Sequence, residues 1–304
     1  MTLYSPPTAR ALSILDLLMA NPYRPFGLTE ITRRLNLNKA TCHAILITMT
    51  QYGFLVQHPR NKSYRLGPSI VAAANSALAR FPLLEYARLE FEKLSNELEC
   101  GMAVTAISNR QQVLLALYGN TSSISEAFQL GLRLPNTAPI AACFAAFAPA
   151  REMEAWIERA HSGIGEFSDK LDKALRVSLI HIRSRGFEVT LRTDAEQNLI
   201  ERLSVSQEHW GLNELDEHCQ LYQQQLCQEH YILDEYRRDK RYLVNTLSVP
   251  IFLYDESPAM CLVAGSLRQS LSGADITHMS DRMRVTAEKV RSMALAKAER
   301  HRAP

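Results

Sequence analysis

The clearest pattern of hydrophobic and polar positions lies between residues 28 and 67. After Asn38, apolar residues recur at intervals of three and four, which is the period of an α-helix with one buried stripe. Asn38 is a suitable N-cap for this helix, and Gly53 is a suitable C-terminal stop. The stripe consists of Cys42, Ile45, Leu46 and Met49, and it leaves in solvent Lys39, Ala40, Thr41, His43 and Ala44.

A shorter helical pattern precedes this helix, and a hairpin pattern follows it. Thr29 is a candidate N-cap for the shorter helix, which carries Ile31 and Leu35 and ends at Asn36. Two helices joined by a short turn, the second with exposed polar residues in its N-terminal half, are typical of a helix-turn-helix that reaches the major groove. The two strand patterns, residues 54–58 and 63–67, flank a basic turn.

Such a hairpin is a wing that brings cations to the phosphate backbone. Arg60, Lys62 and Arg65 are its basic residues. Lys and Arg side chains release condensed counterions from DNA and so supply affinity that does not depend on sequence. We therefore expect these three residues to contact phosphates.

Outside this region, the periodicity predicts the remaining elements and one domain boundary. A first helix from about Ala9 packs on the other two, and a short helix over 69–80 ends at Pro82, where we place the boundary. The second domain is predicted to contain helices at 83–98, 139–148, 151–160, 169–185 and 275–296, and strands at 102–107, 112–118, 186–189, 247–252 and 260–267. A further helical stripe is formed by Leu212, Leu215, Cys219, Tyr222 and Leu226.

Charge divides the chain at the same boundary. Residues 1–81 hold nine Lys and Arg and two acids, a net charge of +7, whereas the remainder has a net charge of −5. A basic head on an acidic body is typical of a DNA-binding domain attached to another module, although an ordinary solvated surface also explains it.

Other classes of protein and site lack support in the sequence. The six Cys are scattered without disulfide spacing, which fits a reducing cytoplasm, and the longest apolar stretch, 139–149, is too short to cross a membrane. Cys227 and His230 could share a helix face toward a metal, but ordinary packing explains them better, so we expect neither metal nor cofactor. No nucleophile elbow or phosphate loop is present, and we expect no enzymatic activity.

The N-terminal motifs together resemble the IclR family of bacterial transcriptional regulators. The matching stretches, in the family's order, are 11–18, 28–35, 38–43, 52–55 and 64–67. The resemblance implies that an operator in double-stranded DNA is bound by Thr29, Lys39, Ala40, Thr41, His43, Ala44, Arg60, Lys62 and Arg65. Members commonly carry Arg directly after the His of the recognition helix, where this chain has Ala44.

The resemblance also implies an α+β fold, with an N-terminal winged helix-turn-helix (1–81) followed by a GAF/PAS-like antiparallel sheet flanked by helices (82–304). The stretch 131–138 resembles the family's second signature, which borders an effector pocket. The implied pocket residues are Val104, Leu117, Gly131, Leu134, Asn136, Thr137, Val249 and Cys261, although core packing explains the apolar ones equally well. Relative to the family, residues 194–230 look inserted, and they either cover the pocket or form an interface.

We therefore expect a cytoplasmic regulator, a homodimer or homotetramer, whose operator binding responds to a small organic acid or aromatic catabolite. The alternative is a DNA-binding module whose C-terminal domain only oligomerises or recruits a protein partner.

Overall fold

The computed structural model describes residues 5–300, apart from 20, 22, 80–81, 109, 120–129, 164–167, 206–211, 229–230, 254–256, 266 and 268–269. The chain divides into two compact units, one comprising Met1–Phe81 with Arg202–His218 and the other comprising Pro82–Glu201 with Cys219–Pro304. Each unit is described by itself below.

Three helices and a hairpin form the core of the first unit. They are α1 (Pro6–Met19), α2 (Leu28–Arg34), α3 (Lys39–Gln51), β1 (Leu55–Gln57) and β2 (Tyr64–Leu66), and α4 (Pro68–Ala79) follows them. The buried side chains that hold them together include Ile14, Phe26, Leu46 and Tyr64. Phe26 adds an antiparallel bridge to Tyr64, so the two-stranded wing has a third backbone partner.

Local sequence explains where α3 and the wing begin and end. The Asn38 side chain caps α3, and Gly53 follows the C-cap Tyr52 with a φ of +74°. A Cβ on Gly67 would lie 2.3 Å from the Gly53 carbonyl oxygen, so only glycine fits where the end of the wing returns to the end of α3.

The second unit places helices on both faces of an antiparallel sheet. In chain order the elements after Phe81 are α5 (Pro82–Leu98), β3 (Gly101–Ser108), β4 (Gln111–Tyr118), β5 (Arg133–Pro135), α6 (Ala142–Phe147), α7 (Ala150–Gly163), α8 (Asp169–Arg185), β6 (Glu188–Leu191), α9 (Asp194–Val205), α10 (Leu212–Gln228), β7 (Arg241–Tyr242), β8 (Val244–Phe252), β9 (Pro258–Gly265), β10 (Leu271–Ser272) and α11 (Gly273–Arg300). The end of α9 and the start of α10 lie in Arg202–His218 and so belong to the first unit. The main sheet has the strand order β5-β4-β3-β9-β8-β6, with every pair antiparallel, and β7 pairs separately with β10.

Strand alternation sends side chains of the sheet to two separate cores. One core joins the sheet to α5 and α11 through residues such as Phe91 and Met283. The other joins it to α6, α7, α8 and α10 and includes Trp156 and Cys261. The expected α+β architecture, a winged helix-turn-helix followed by an antiparallel sheet flanked by helices, is confirmed.

Three local expectations differ from the structure. Thr29 is not an N-cap: α2 begins at Leu28 after Gly27, because the bridge at Phe26 delivers an extended chain directly to the helix. Helix α1 begins at Pro6, where proline suits a first turn that needs no amide donors. Residues 194–230 contain two helices, α9 and α10, rather than the one whose stripe was recognised.

Candidate DNA-binding surface and ligand cavity

The N-terminal end of α3 is a fixed and polar surface. Asn38 Oδ1 accepts hydrogen bonds from the backbone N–H groups of Ala40 at 2.9 Å and Thr41 at 3.4 Å. Cys42 and Leu46 are fully buried beneath this turn, and His43 points away from them and is exposed. The cap therefore holds the helix start in one position, with a row of short side chains facing solvent: Lys39, Ala40, Thr41, His43 and Ala44.

Two arginines near this surface have structural partners. Glu30 on α2 pairs with Arg24 at 2.9 Å and with Arg34 at 3.1 Å. Both guanidinium groups also lie over the ring of Phe26, 5.1 and 5.3 Å from its centroid. In the part of this unit that the structure describes, the Lys and Arg residues without an ion pair are Arg10, Arg33, Lys39, Arg60, Lys62, Arg65 and Arg202.

The turn of the wing is ordered by its own hydrogen bonds. His58 Nδ1 accepts from the backbone N–H groups of Arg60 and Asn61, at 3.2 and 3.3 Å. Asn61 Oδ1 accepts from the N–H and the hydroxyl of Ser63, and Lys62 adopts a left-handed φ of +57°. These bonds use backbone and uncharged groups, so Arg60, Lys62 and the strand residue Arg65 keep their charges exposed.

The second unit contains a cavity of about 540 Å³ between the sheet and helices α6, α9 and α10. Its apolar wall comes from the sheet, from α6 and from the turn before α6, and it includes Leu114, Ile140 and Phe144. Helix α9 supplies Glu196, Gln197 and Ile200, and α10 supplies Tyr222. Part of the segment expected to cover a pocket or form an interface thus closes this cavity.

Glu188 is the buried acid of the cavity wall. Its Oε2 accepts the backbone N–H of Cys143 at 3.0 Å, whereas its Oε1 has no hydrogen-bond donor among the described residues. Burial raises the pKa of this carboxyl to about 7, against the opposing effects of the Cys143 hydrogen bond and the positive charge of Arg185. A carboxyl with this pKa changes between its neutral and charged forms near neutral pH.

The polar groups near Glu188 differ in their hydrogen-bond partners and in the shifts of their pKa values. Tyr231 donates its hydroxyl to the Pro139 carbonyl at 2.8 Å, and Thr190 bonds to Thr246 at 2.7 Å between hydroxyl oxygens. Burial raises the pKa of Glu196, while the charge of Arg192 and a hydrogen bond from Asn245 lower it. Burial also raises the pKa of Tyr222, as do the nearby charges of Glu196 and Glu188.

The structure brings together only some of the residues expected at the pocket. Leu117, Leu134 and Cys261 line the cavity. Gly131 precedes β5, and Asn136 and Thr137 follow it, but none of the three lines the cavity. The Thr137 hydroxyl accepts a hydrogen bond from the Gln223 side chain, and the Asn136 carbonyl accepts one from Arg159.

Val104 and Val249 face the opposite core, because each pairs with Leu262 on the α11 side of the sheet. Their strand neighbours Thr105 and Ser248 face the cavity instead. The prediction that Val104 and Val249 line the pocket is therefore wrong, and the adjacent residues Thr105 and Ser248 line it instead.

Sequence reasoning missed the acids and the phenols of the cavity. A signal for Glu188 was present, since it lies between Phe187 and Val189 in a short strand whose apolar residues face the other core. Glu196 carried no such signal, because α9 was not recognised. Tyr222 was assigned to the helical stripe but not to a cavity.

Metal ligation has no support in the part of the chain that the structure describes. That part holds no cluster of three or more His, Cys, Asp or Glu side chains. Cys227 packs in the core that includes Trp156, and His230 lies outside the described residues. None of the described helices is long and apolar enough to cross a membrane.

Comparison with known proteins now gives this geometry a context. The model of the IclR helix-turn-helix domain matches residues 7–59. The HTH-type regulator ArcR of Halobacterium salinarum, itself named as probable, is 26% identical over 185 residues, 59% of this chain and 69% of that protein. The HTH-type regulator XynR of Escherichia coli is 28% identical over 127 residues, 41% of this chain and 50% of that protein.

Residues 7–59 of this chain belong to the IclR helix-turn-helix family, and the curated relatives it matches are named as transcriptional regulators. The fold of this chain extends the likeness over nearly its whole length. The crystal structure of an IclR regulator from Alicyclobacillus acidocaldarius matches 95% of this chain and 99% of that one, with a TM-score of 0.65 and 17% identity. An IclR homologue from Microbacterium hydrocarbonoxydans complexed with 4-hydroxybenzoate matches 94% and 99%, with a TM-score of 0.64 and 16% identity.

Proposed function

We propose that this IclR regulator binds an operator through α3 and the β1–β2 wing, and that a small organic molecule in the cavity changes its affinity for that operator. The cavity is the observation that carries the proposal. Its volume of about 540 Å³ is within the range of small-molecule sites, and its apolar wall carries a few polar groups that could orient a ligand.

On the DNA side, the exposed start of α3 supplies the base-reading residues and the wing supplies phosphate contacts. His43 is exposed one turn after Lys39, on the face opposite the buried stripe. Thr29, Lys39, Ala40, Thr41 and Ala44 complete the proposed surface. Arg60, Lys62 and Arg65 add affinity that falls as salt rises.

Regulation requires that the ligand distinguish two arrangements of the protein. In a homodimer or homotetramer, a ligand that binds one quaternary arrangement better shifts the spacing between paired recognition helices relative to the operator half-sites. We assign residues 1–81 to DNA binding and residues 82–304 to ligand binding and oligomerisation. Such a regulator acts in the cytoplasm, and its six cysteines, none of which forms a disulfide, suit that compartment.

A homologue complexed with 4-hydroxybenzoate supports a ligand-binding role for the second unit. The alternative, a second domain that only oligomerises or recruits a protein, gives no reason for a buried acid facing a cavity of this size. We therefore do not favour it.

The decisive experiment measures binding of the purified protein to the DNA upstream of its own gene, titrated against salt and against unrelated duplex. We expect the upstream DNA to bind on the order of a thousandfold more tightly than unrelated duplex, and the affinity to fall steeply as the salt concentration rises. Equal affinity for both duplexes across several candidate upstream fragments would contradict the proposal.

A variant at His43 tests the reading of bases directly. His43→Ala should lower affinity for the operator more than for unrelated duplex, because a base contact carries sequence information and a phosphate contact does not. His278→Ala, which removes an exposed histidine of α11, is the matched control and should leave both affinities unchanged. An equal loss of affinity for both duplexes in His43→Ala would show that His43 does not read bases.

A further inference from the structure

The charges around the cavity indicate what kind of ligand it holds. Among the described residues that line it, the acids are Glu188 and Glu196, and the single Lys or Arg is Arg192. We propose that the ligand is a small organic amine, bound as a cation with its ammonium group facing Glu188. This inference rests on the proposed role of the cavity as the effector site.

Glu188 has the hydrogen-bonding capacity that an ammonium group needs. One carboxylate oxygen accepts from Cys143 N–H, and the other has no donor within the described chain. A buried carboxylate is costly unless a cation or further donors pair with it. An ammonium group brings both the positive charge and up to three donors.

The nearby Arg185 does not serve as that partner. Its Nε donates to the Phe187 carbonyl at 2.7 Å, and its Nη1 donates to the carbonyls of Leu233 and Asp234 at 2.7 and 3.0 Å. Its charge still acts on Glu188, but no hydrogen bond joins the two side chains in the described structure. A bound cation would therefore meet an acid that has not been neutralised by direct pairing.

The rest of the lining also suits a cation. Glu196 adds a second carboxyl from α9, and the charges of both acids act on Tyr222. The aromatic rings of Phe144, Tyr222 and Tyr231 border the same space. Aromatic rings attract ammonium groups over their faces, so an amine gains from the phenols as well as from the acids.

A carboxylate ligand fits this lining poorly. It would place a second negative charge beside the buried carboxyl of Glu188, which repels it whenever Glu188 is ionised. The backbone N–H of Cys143 is already bonded to Glu188, and Arg192 is exposed. A neutral alcohol could donate to Glu188 but would leave its charge without a counterion.

The test uses the full-length protein and compounds that share a carbon skeleton but differ in the polar group. Benzylamine, benzyl alcohol and benzoate form one series, and butylamine, butanol and butyrate form a smaller one. We expect the amines to raise the melting temperature and to bind at least tenfold more tightly than their matched acids in calorimetry. Preferential binding of acids or alcohols, or no binding by any amine in these series, would overturn the inference.

A conservative variant links the selectivity to Glu188. Glu188→Gln keeps an oxygen for the Cys143 N–H but removes the charge, and it should weaken amine binding at least tenfold. Glu152→Gln removes an exposed acid from α7 and should bind amines like the unmodified protein. Circular dichroism establishes that both variants fold. Unchanged amine binding by a folded Glu188→Gln protein would exclude Glu188 as the recognition group.

Failure of this inference can be told apart from failure of the proposed regulation. If acids bind in the cavity and change operator affinity, the regulation stands and only the amine assignment falls. If no compound of any class binds or changes operator affinity, both fall.

Discussion

Replacing Glu188 by glutamine should change how the stability of the protein depends on pH. The pKa of Glu188 is raised from 4.5 to about 7, because burial disfavours the charged form more than Cys143 N–H and Arg185 favour it. Between these two values the native protein holds a proton that the unfolded chain releases. Stability is therefore lost as the pH rises from about 4.5 to about 7.

The size of the effect follows from the pKa difference. Each pKa unit corresponds to about 1.4 kcal/mol, so ionised Glu188 should lower the free energy of unfolding by about 3 kcal/mol above pH 7. Glu188→Gln has no such ionisation. Because part of this loss has already occurred by pH 5, the stability of the variant relative to the unmodified protein should be roughly 2 to 3 kcal/mol greater at pH 8 than at pH 5.

Urea unfolding at the two pH values measures this difference. Trp156 is almost fully buried in the second unit and reports its unfolding by fluorescence. The positive charge of Arg185 acts on Glu188, and Arg185 stays charged at both pH values in both proteins. Burial and, in turn, the charge of Glu188 raise the pKa values of Cys143, Tyr222 and Tyr231, so these three groups stay protonated at pH 5 and pH 8 and do not contribute to the difference. An equal stability difference at pH 5 and pH 8 would refute the raised pKa.

Three other substitutions test the DNA-binding unit. Asn38→Ala removes the α3 cap, should cost about 1 kcal/mol, and should speed hydrogen exchange at the amides of Ala40 and Thr41; unchanged exchange would mean that the cap is unimportant. Lys62→Gln should weaken binding equally on all duplexes and lower the salt slope by about one, whereas an unchanged slope would place Lys62 away from phosphate. Gly67→Ala puts a Cβ 2.3 Å from the Gly53 carbonyl and should lower operator affinity by displacing the wing, as titration of folded protein would reveal.

Local chemistry was enough to predict most of the DNA-binding unit. The stripe through Cys42 and Leu46, the Asn38 cap and the Gly53 stop all lie within one short stretch, and each is explained by hydrogen bonds or burial between residues near in sequence. The start of α2 was the exception. It depends on the Phe26–Tyr64 bridge, which joins residues far apart along the chain.

The ligand cavity could not be derived in the same way. Periodicity located the strands, but only their pairing decides which alternating residues share a face, so Val104 and Val249 were assigned to the pocket when they pack against the α11 side. Glu188, Glu196 and Tyr222 come from three elements separated by unrelated sequence and converge only on folding.

What the sequence determined by itself was therefore the family resemblance, the helix-turn-helix and wing, and most of the helices and longer strands of the second unit, because these depend on short-range periodicity and capping. The tertiary structure alone decided the register of the sheet, the closure of the cavity by α9 and α10, and the burial of Glu188. Burial is what raises the pKa of that carboxyl, and the environment that causes it is assembled from distant parts of the chain.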